Sequence, residues 1–245
     1  MATVVSVMDR DGWEARTDNI VVADPARRCL LWVPRDLWAE SLRNRINCAF
    51  ARGGHQGLLS GLEGLGLDVQ HSVCVRREAL ELALADLTVT VEVDEPLDFW
   101  YPLSPTAPIE EGQKLVRFDP PAEPLSGERI HQWLGARLRP GRASSDLERI
   151  ERQQVFVRTL LDDGFDFSRL LASPELVSAS SEEGLEELAQ VSPGWSLETL
   201  GPVVPKTIDG MLVLVLRKSR ARRRWAAFRT QPKRSGRMDA NRGGP

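Results

Sequence analysis

Short apolar runs rich in β-branched residues, each closed off by aspartate, glycine or proline, alternate along this chain with segments whose apolar residues fall at three- and four-residue spacing. That alternation restricts the chain to folds in which buried strands and amphipathic helices share a core. Residues 4–8 and 20–23 are the first two runs; Asp24-Pro25 turns the chain and residues 29–33 return, so strands two and three form a hairpin leading into Pro34-Arg35-Asp36. Helical spacing follows at Leu42, Ile46, Ala49 and Phe50 and, after Gly53-Gly54, at Leu58, Leu59, Leu62 and Leu65. Residues 69–75 read as a strand, 78–85 as a helix and 88–93 as a strand, whereas the proline-rich stretch 95–124 reads as an irregular excursion. Helices resume near Ser126 and over residues 146–161, where Asp146 is placed to cap. A short amphipathic helix over 184–191 and an apolar strand over 211–216 complete the pattern. The expected fold is a three-layer α/β/α arrangement around a central mixed sheet, one domain over residues 1–216, followed by a basic, disordered tail over 217–245.

Composition excludes several classes. The chain has 245 residues, 42% of them hydrophobic, and a net charge of only -3, which is enough apolar material for a core and too little charge for a disordered chain. No run of 18 apolar residues exists and the first ten residues turn polar too soon for a secretory signal, so the chain as written reads as cytoplasmic. Cys29, Cys48 and Cys74 are odd in number and lack ligand spacing, which argues for buried thiols rather than a disulfide frame or zinc cage. Only four of the 32 basic residues are lysine, so an anion site here is built from guanidinium groups.

Nucleotide-binding glycine loops, nucleophile elbows and zinc-helix motifs are absent, and His55, His71 and His131 are too far apart in sequence to suggest a ligand set. Charge is instead concentrated where apolar strands end, the usual place for α/β sites. Asp9 and Arg10 follow the first strand, Arg16 and Asp18 precede the second, and Arg35-Asp36 follow the third. Arg137 and Arg139 come later, then Arg149, Arg152, Gln153 and Gln154 on one helix, with Arg149 and Gln153 four apart on a shared face. Guanidinium forks grip phosphate oxygens bidentately and carboxylates hold a hard cation, so this set suits a pyrophosphate with Mg²⁺. Spacing alone equally allows these arginines to belong to a solvated helix face, Asp36 to orient an arginine, and Asp146 to serve only as a cap.

In order along the chain, Arg16-Thr17-Asp18-Asn19-Ile20, Val33-Pro34-Arg35-Asp36 and Arg45-Ile46-Asn47-Cys48-Ala49-Phe50 with Gly53-Gly54 are similar to the segments R-S-D-T-I, I-P-R-D and K-I-N-A-A-Y with its glycine pair. Leu125-Ser126-Gly127-Glu128, Arg137-Leu138-Arg139 and the run from Asp146 to Gln154 are similar to L-x-G-E, R-x-R and D-x-x-R-I-x-R-Q-Q. Together the six pieces resemble the catalytic domain of the LytR-CpsA-Psr family over roughly residues 4–163. That family transfers glycopolymers from polyprenyl-pyrophosphate carriers to peptidoglycan. The resemblance implies a Mg²⁺-dependent phosphotransferase with Asp9 and Asp18 as metal ligands and Asp18, Arg35 and Arg137 at the reacting centre. It further implies phosphate-binding roles for Arg16, Arg45, Arg139, Arg149 and Gln153, a polyprenyl-pyrophosphate-linked glycan as donor, and a peptidoglycan-type acceptor. A carrier lipid needs a long apolar groove; the leucine-rich helices over 43–67 and 78–85 are candidates to line it, or to be plain core.

The chain departs from the family at Arg45, where lysine is usual, and at Asp86-Leu87, where a glycine pair is usual; the family also commonly begins with a membrane helix that places the domain outside the cell membrane. Two further readings stay open: a pyrophosphatase on the same donor, and a non-catalytic polyprenyl-phosphate-binding protein. From Arg217 onward there are 11 basic residues and one acid. This tail reads first as a solvated disordered end and next as a segment attracted to an anionic membrane surface; nucleic acid is disfavoured because the body is acidic and the tail has few aromatics.

Overall fold

In the computed structural model, the described residues are 1–8, 13, 16–104, 107–141 and 146–216. The chain begins with β1 (Thr3–Met8), β2 (Thr17–Asp24), β3 (Cys29–Trp32) and the two-residue strands β4 (Trp38–Ala39) and β5 (Asn44–Arg45). It continues through α1 (Ala49–Gly64), β6 (His71–Val75), α2 (Arg77–Leu84), β7 (Val89–Glu92), β8 (Leu97–Pro102), β9 (Gln113–Phe118) and β10 (Ala122–Leu125). The remainder is α3 (Glu128–Gly135), α4 (Asp146–Asp162), β11 (Val177–Ala179), α5 (Glu182–Ala189), β12 (Ser196–Thr199), β13 (Val203–Ile208) and β14 (Met211–Leu216). Six strands form the central sheet in the order β11-β6-β1-β2-β3-β12, mixed because β1–β6 and β3–β12 are parallel and the other pairs antiparallel.

Both faces of this sheet are buried, and the pleat sorts its side chains between two cores. Val4, Ile20, Val22 and Leu31 face one way and pack with Ala49, Leu58 and Leu62 of α1. Val5, Val7, Val21, Ala23, Leu30, Val73 and Val75 face the other way, against Ala79 and Leu84 of α2, Trp133 of α3, Phe156 and Leu160 of α4 and Leu188 of α5. The expected layered α/β domain with a central mixed sheet is therefore present. All three cysteines are buried free thiols.

Two local expectations are corrected. Residues 42–50 are not one helix: Arg43 adopts a left-handed φ of 47°, the β4–β5 ladder pairs Trp38 with Arg45, and short 3-10 turns flank it before α1 begins. The stretch 95–124 is not irregular, since β8 and β9 form a hairpin and β10 pairs with β7; Pro102 ends β8 and Pro124 lies in the two-stranded β7–β10 ladder, where a missing N–H is tolerated. Strand β11, which no apolar run announces, completes one sheet edge. The readings made of the tail from Arg217, of Asp9 and of the Asp146 side chain fall outside the described residues.

α1 is kinked at the glycine pair, where Gly54 has φ 55° and ψ -147°, a region open essentially to glycine. The kink folds the first turn back so that a Cβ on Gly57 would lie 2.5 Å from the carbonyl oxygen of Ala49, whereas one on Gly53, at φ -149°, would meet nothing within 4 Å. Gly57→Ala should therefore lower stability by about 1–3 kcal/mol. Gly53→Ala should stay within about 0.5 kcal/mol of the parent in urea unfolding.

Candidate functional site

β1 and β2 pair in regular register until Val7 and Asn19, after which Met8 pairs with Thr17 and Asp18 is left over as a bulge. A bulge breaks the strict alternation of side chains, so Asp18 and its neighbour Asn19 both face the same cavity although adjacent strand residues ordinarily point apart. At the exit of β3 the turn after Val33 directs Arg35 back across β2; its backbone carbonyl accepts from Asn47 N–H at 3.1 Å. From the helical layer, Arg149 of α4 reaches the same carboxylate. Asp18 Oδ1 thus forms an ion pair with Arg35 Nη1 and accepts a hydrogen bond from Arg149 Nη1 at 3.2 Å. Both arginines are buried, with Arg149 only 1% exposed. Two guanidinium groups converging on one carboxylate give a compact site of net positive charge, and an entering phosphate can take the carboxylate's place on their N–H groups.

The cavity beside this cluster has a volume of about 1020 Å³. Its rim at the charged end carries Asp18, Asn19 and Arg137; Leu80 and Leu84 of α2, Ala85 just beyond it, and Ile130 and Leu134 of α3 give it apolar wall, beside Arg77, Glu81, Glu128 and His131. A second, apolar cavity of about 90 Å³ lies deeper against the sheet and shares Val7, Asn19, Leu80 and Leu134 with the first. Of the two leucine-rich segments considered for a groove, only 78–85 lines it. Leu58, Leu62 and Leu65 are core on the opposite face of the sheet.

The remaining predicted residues are distributed around this centre. Arg137 is exposed on the cavity wall and Arg16 is exposed just ahead of Asp18. Arg139 sits 3.5 Å from Glu148 and 3.8 Å from Glu95, next to the Phe99 ring. Gln153 is buried and donates to the Leu134 carbonyl at 3.1 Å, so it ties α4 to the cavity wall, while its Oε1 is buried without a hydrogen bond. Arg45 faces Asp36 at 3.2 Å and donates to the Leu212 carbonyl at 2.8 Å, linking the Arg35 turn to the β13–β14 hairpin. Arg152, grouped by sequence with Arg149, points elsewhere: it donates to the Trp133 and Ala136 carbonyls and stacks on Phe99, and burial pulls its pKa down to about 10. It joins α4 to α3 rather than facing the cavity.

Sequence reasoning missed Asn19. Its Oδ1 is buried without a hydrogen bond on the wall of both cavities, and an unsatisfied buried carbonyl oxygen is an open place for a donor or a hard cation. Asn19 stands on the same side as Val21 and Ala23 by ordinary strand alternation, and the bulge turns Asp18 to join it. No group of three or more potential ligands among His, Cys, Asp and Glu occurs among the described residues. Asp18 with the Asn19 amide oxygen nevertheless fits Mg²⁺, which is commonly held by one or two protein oxygens together with substrate phosphates.

The family model LytR_cpsA_psr matches residues 5–184. The chain belongs to the LytR_cpsA_psr family. Solved structures of the same fold include B. subtilis TagV, with TM-score 0.63 at 17% identity over 95% of this chain and 98% of that one. TagT bound to LI-WTA aligns with TM-score 0.62 at 17% identity over 94% of this chain and 89% of that chain. B. subtilis TagU aligns at 0.59 and 14% identity, over 94% of this chain and 95% of its own. No curated protein sequence matches the chain. Among the described residues no helix is long and apolar enough to cross a membrane.

Because Asp18 stands between two buried cations, Asp18→Asn should destabilise the protein by on the order of 1–3 kcal/mol in urea unfolding. Millimolar inorganic pyrophosphate should recover part of that loss in Asp18→Asn, and should not do so once Arg149→Met is added.

Proposed function

We propose that this protein is a cell-wall glycopolymer phosphotransferase that takes its donor from a polyprenyl-pyrophosphate carrier. The observation that carries this reading is the pair of buried guanidinium groups of Arg35 and Arg149 meeting at Asp18 on the wall of a large cavity whose other walls are leucine-rich. A ligand with a doubly charged phosphate end and a long apolar chain satisfies both halves at once: guanidinium groups neutralise the pyrophosphate, and Leu80, Leu84, Ile130 and Leu134 shelter the isoprenoid. Family membership and the fold shared with TagT, which is bound to LI-WTA in its own structure, support a glycopolymer as the transferred group.

In the reaction, a hydroxyl of a peptidoglycan-type acceptor attacks the sugar-bearing phosphorus. A new P–O bond forms to the acceptor, the phosphoanhydride bond breaks, and polyprenyl phosphate leaves with the bridging oxygen. Arg35 and Arg149 hold the phosphate oxygens as charge redistributes, Arg137 adds a donor from the exposed wall, and the hydroxyl proton passes to a carboxylate, for which Asp18 stands at the cavity wall. Arg16, exposed ahead of Asp18, adds positive charge toward the glycan, Arg139 is held by Glu148 and Glu95 nearby, and Gln153 keeps α4 in place behind Arg149. Mg²⁺, when bound by Asp18 with Asn19 and Asp9 as further oxygen donors, would supply additional neutralisation of the pyrophosphate.

The test is mass spectrometry of the purified chain with Mg²⁺ and a short synthetic polyprenyl-pyrophosphate sugar, with and without a peptidoglycan-type acceptor. Product should depend on acceptor, and Arg35→Met and Arg149→Met should each slow transfer by about 100-fold or more. Lipid monophosphate released without acceptor would make the protein a pyrophosphatase. An intact donor that co-purifies with the chain would reduce it to a lipid-binding protein.

A further inference from the structure

Nine large apolar side chains are exposed among the described residues, and four of them, Trp100, Leu103, Leu115 and Leu138, gather around the β8–β9 hairpin. Trp100 stands directly opposite Leu115 in the β8–β9 ladder. On its other side the Trp100 N–H donates to the Leu138 carbonyl at 2.7 Å, in an isolated bridge that sets Leu138 beside it. Residues opposite one another on neighbouring strands share a face. Leu115, Trp100 and Leu138 therefore form one outward row across three segments, while Phe99, Tyr101 and Val116 turn inward to the core. Trp100 and Leu138 also line the large cavity, so the row is its lip, and apolar surface continues from it along Leu134, Ile130 and Leu80, beside the charged Arg77, Glu81 and Glu128 of the same lining.

We propose that this row is the face on which the protein rests against a lipid bilayer, so that a lipid carrier passes from the membrane into the cavity without crossing water. The proposal rests on the assignment of an isoprenoid chain to that cavity. Three observations favour a bilayer over a second copy of the chain. At 41, 50, 53 and 39% exposure for Trp100, Leu103, Leu115 and Leu138, the row offers only a modest apolar area. It is on the order of 300–400 Å², against roughly 800 Å² per partner in a stable protein interface. A tryptophan with leucines around it suits the headgroup boundary, where an apolar ring with one polar N–H is favoured. The charges flanking the row are few and of both signs: Lys114 pairs with Glu128 at 2.6 Å, Arg117 with Asp119 at 2.9 Å and Arg139 with Glu148 at 3.5 Å, while Glu110, Glu111 and Arg137 are exposed, so lipid charge offers little attraction there.

Flotation of the full chain with phosphatidylcholine vesicles tests this, at about 0.5 M salt so that charge attraction through the basic tail is screened. The parent should float, and the variant carrying Trp100→Ser, Leu115→Ser and Leu138→Ser together should lose about tenfold or more of its partitioning. Val204→Ser with Leu212→Ser, a pair on the distant β13–β14 hairpin, should float as the parent does. Leu138→Ser alone, with its near-ultraviolet dichroism unchanged, should lose several-fold, which separates a lost contact from a lost fold. Depth-dependent quenching of tryptophan emission by brominated lipid should fall in Trp100→Phe. A triple variant that floats like the parent, or a parent that stays in the aqueous fraction, overturns the proposal. So does a concentration-dependent dimer abolished by the triple variant. Flotation that is retained while the donor neither binds nor turns over leaves the membrane face standing and removes the transferase reading alone.

Discussion

The Asp18 carboxylate, held between Arg35 and Arg149, is the contact that couples the layers of this protein. Arg35 comes from the exit of β3, Asp18 from the bulged start of β2, and Arg149 from a helix more than 100 residues later in the chain. Burying guanidinium groups is expensive unless a carboxylate or phosphate faces them, so the geometry is tolerable only because all three groups arrive together. The same requirement is what the proposed anion binding draws on: the groups that hold Asp18 are already largely desolvated.

The rest of the fold serves that placement asymmetrically. On one face of the sheet α1 closes a plain core, kinked at its glycine pair so that its first turn folds back beside the Arg35 turn. On the other face α2 and α3 stand apart enough to leave the large cavity, and Arg152 and Gln153 fasten α4 to α3 through the carbonyls of Trp133, Leu134 and Ala136. The charged cluster lies at the edge of this apolar space. On the proposed reading, the ligand recognised there is amphiphilic, with its anionic end at Arg35 and Arg149.

Much of this was legible in the residues. The inner strands announce themselves by β-branched runs, and Asp18, Arg35 and Arg149 by charge at strand exits and on one helix face. Failures had physical causes. The β8–β9 hairpin was hidden because prolines accumulate around it while its ladder has only two strands, a setting that spares the donors prolines lack. Strand β12, Ser196–Thr199, is half-buried at the sheet edge and carries no apolar run. Asn19 shares the side of Val21 and Ala23, so alternation alone sends Asp18 the other way, and only the register shift at Met8 brings the two to one space. Arg152 shows the converse: the pattern that marks Arg149 also includes a guanidinium used to join two helices.

The most direct measurement of the central claim is a crystal structure of the chain soaked with Mg²⁺ and a short isoprenyl pyrophosphate. The account predicts phosphate oxygens within hydrogen-bond distance of the Arg35 and Arg149 guanidinium groups and the isoprenoid chain between α2 and α3 against Leu80, Leu84 and Leu134. A pyrophosphate seated elsewhere, with Asp18 still clasped by both arginines, would contradict it.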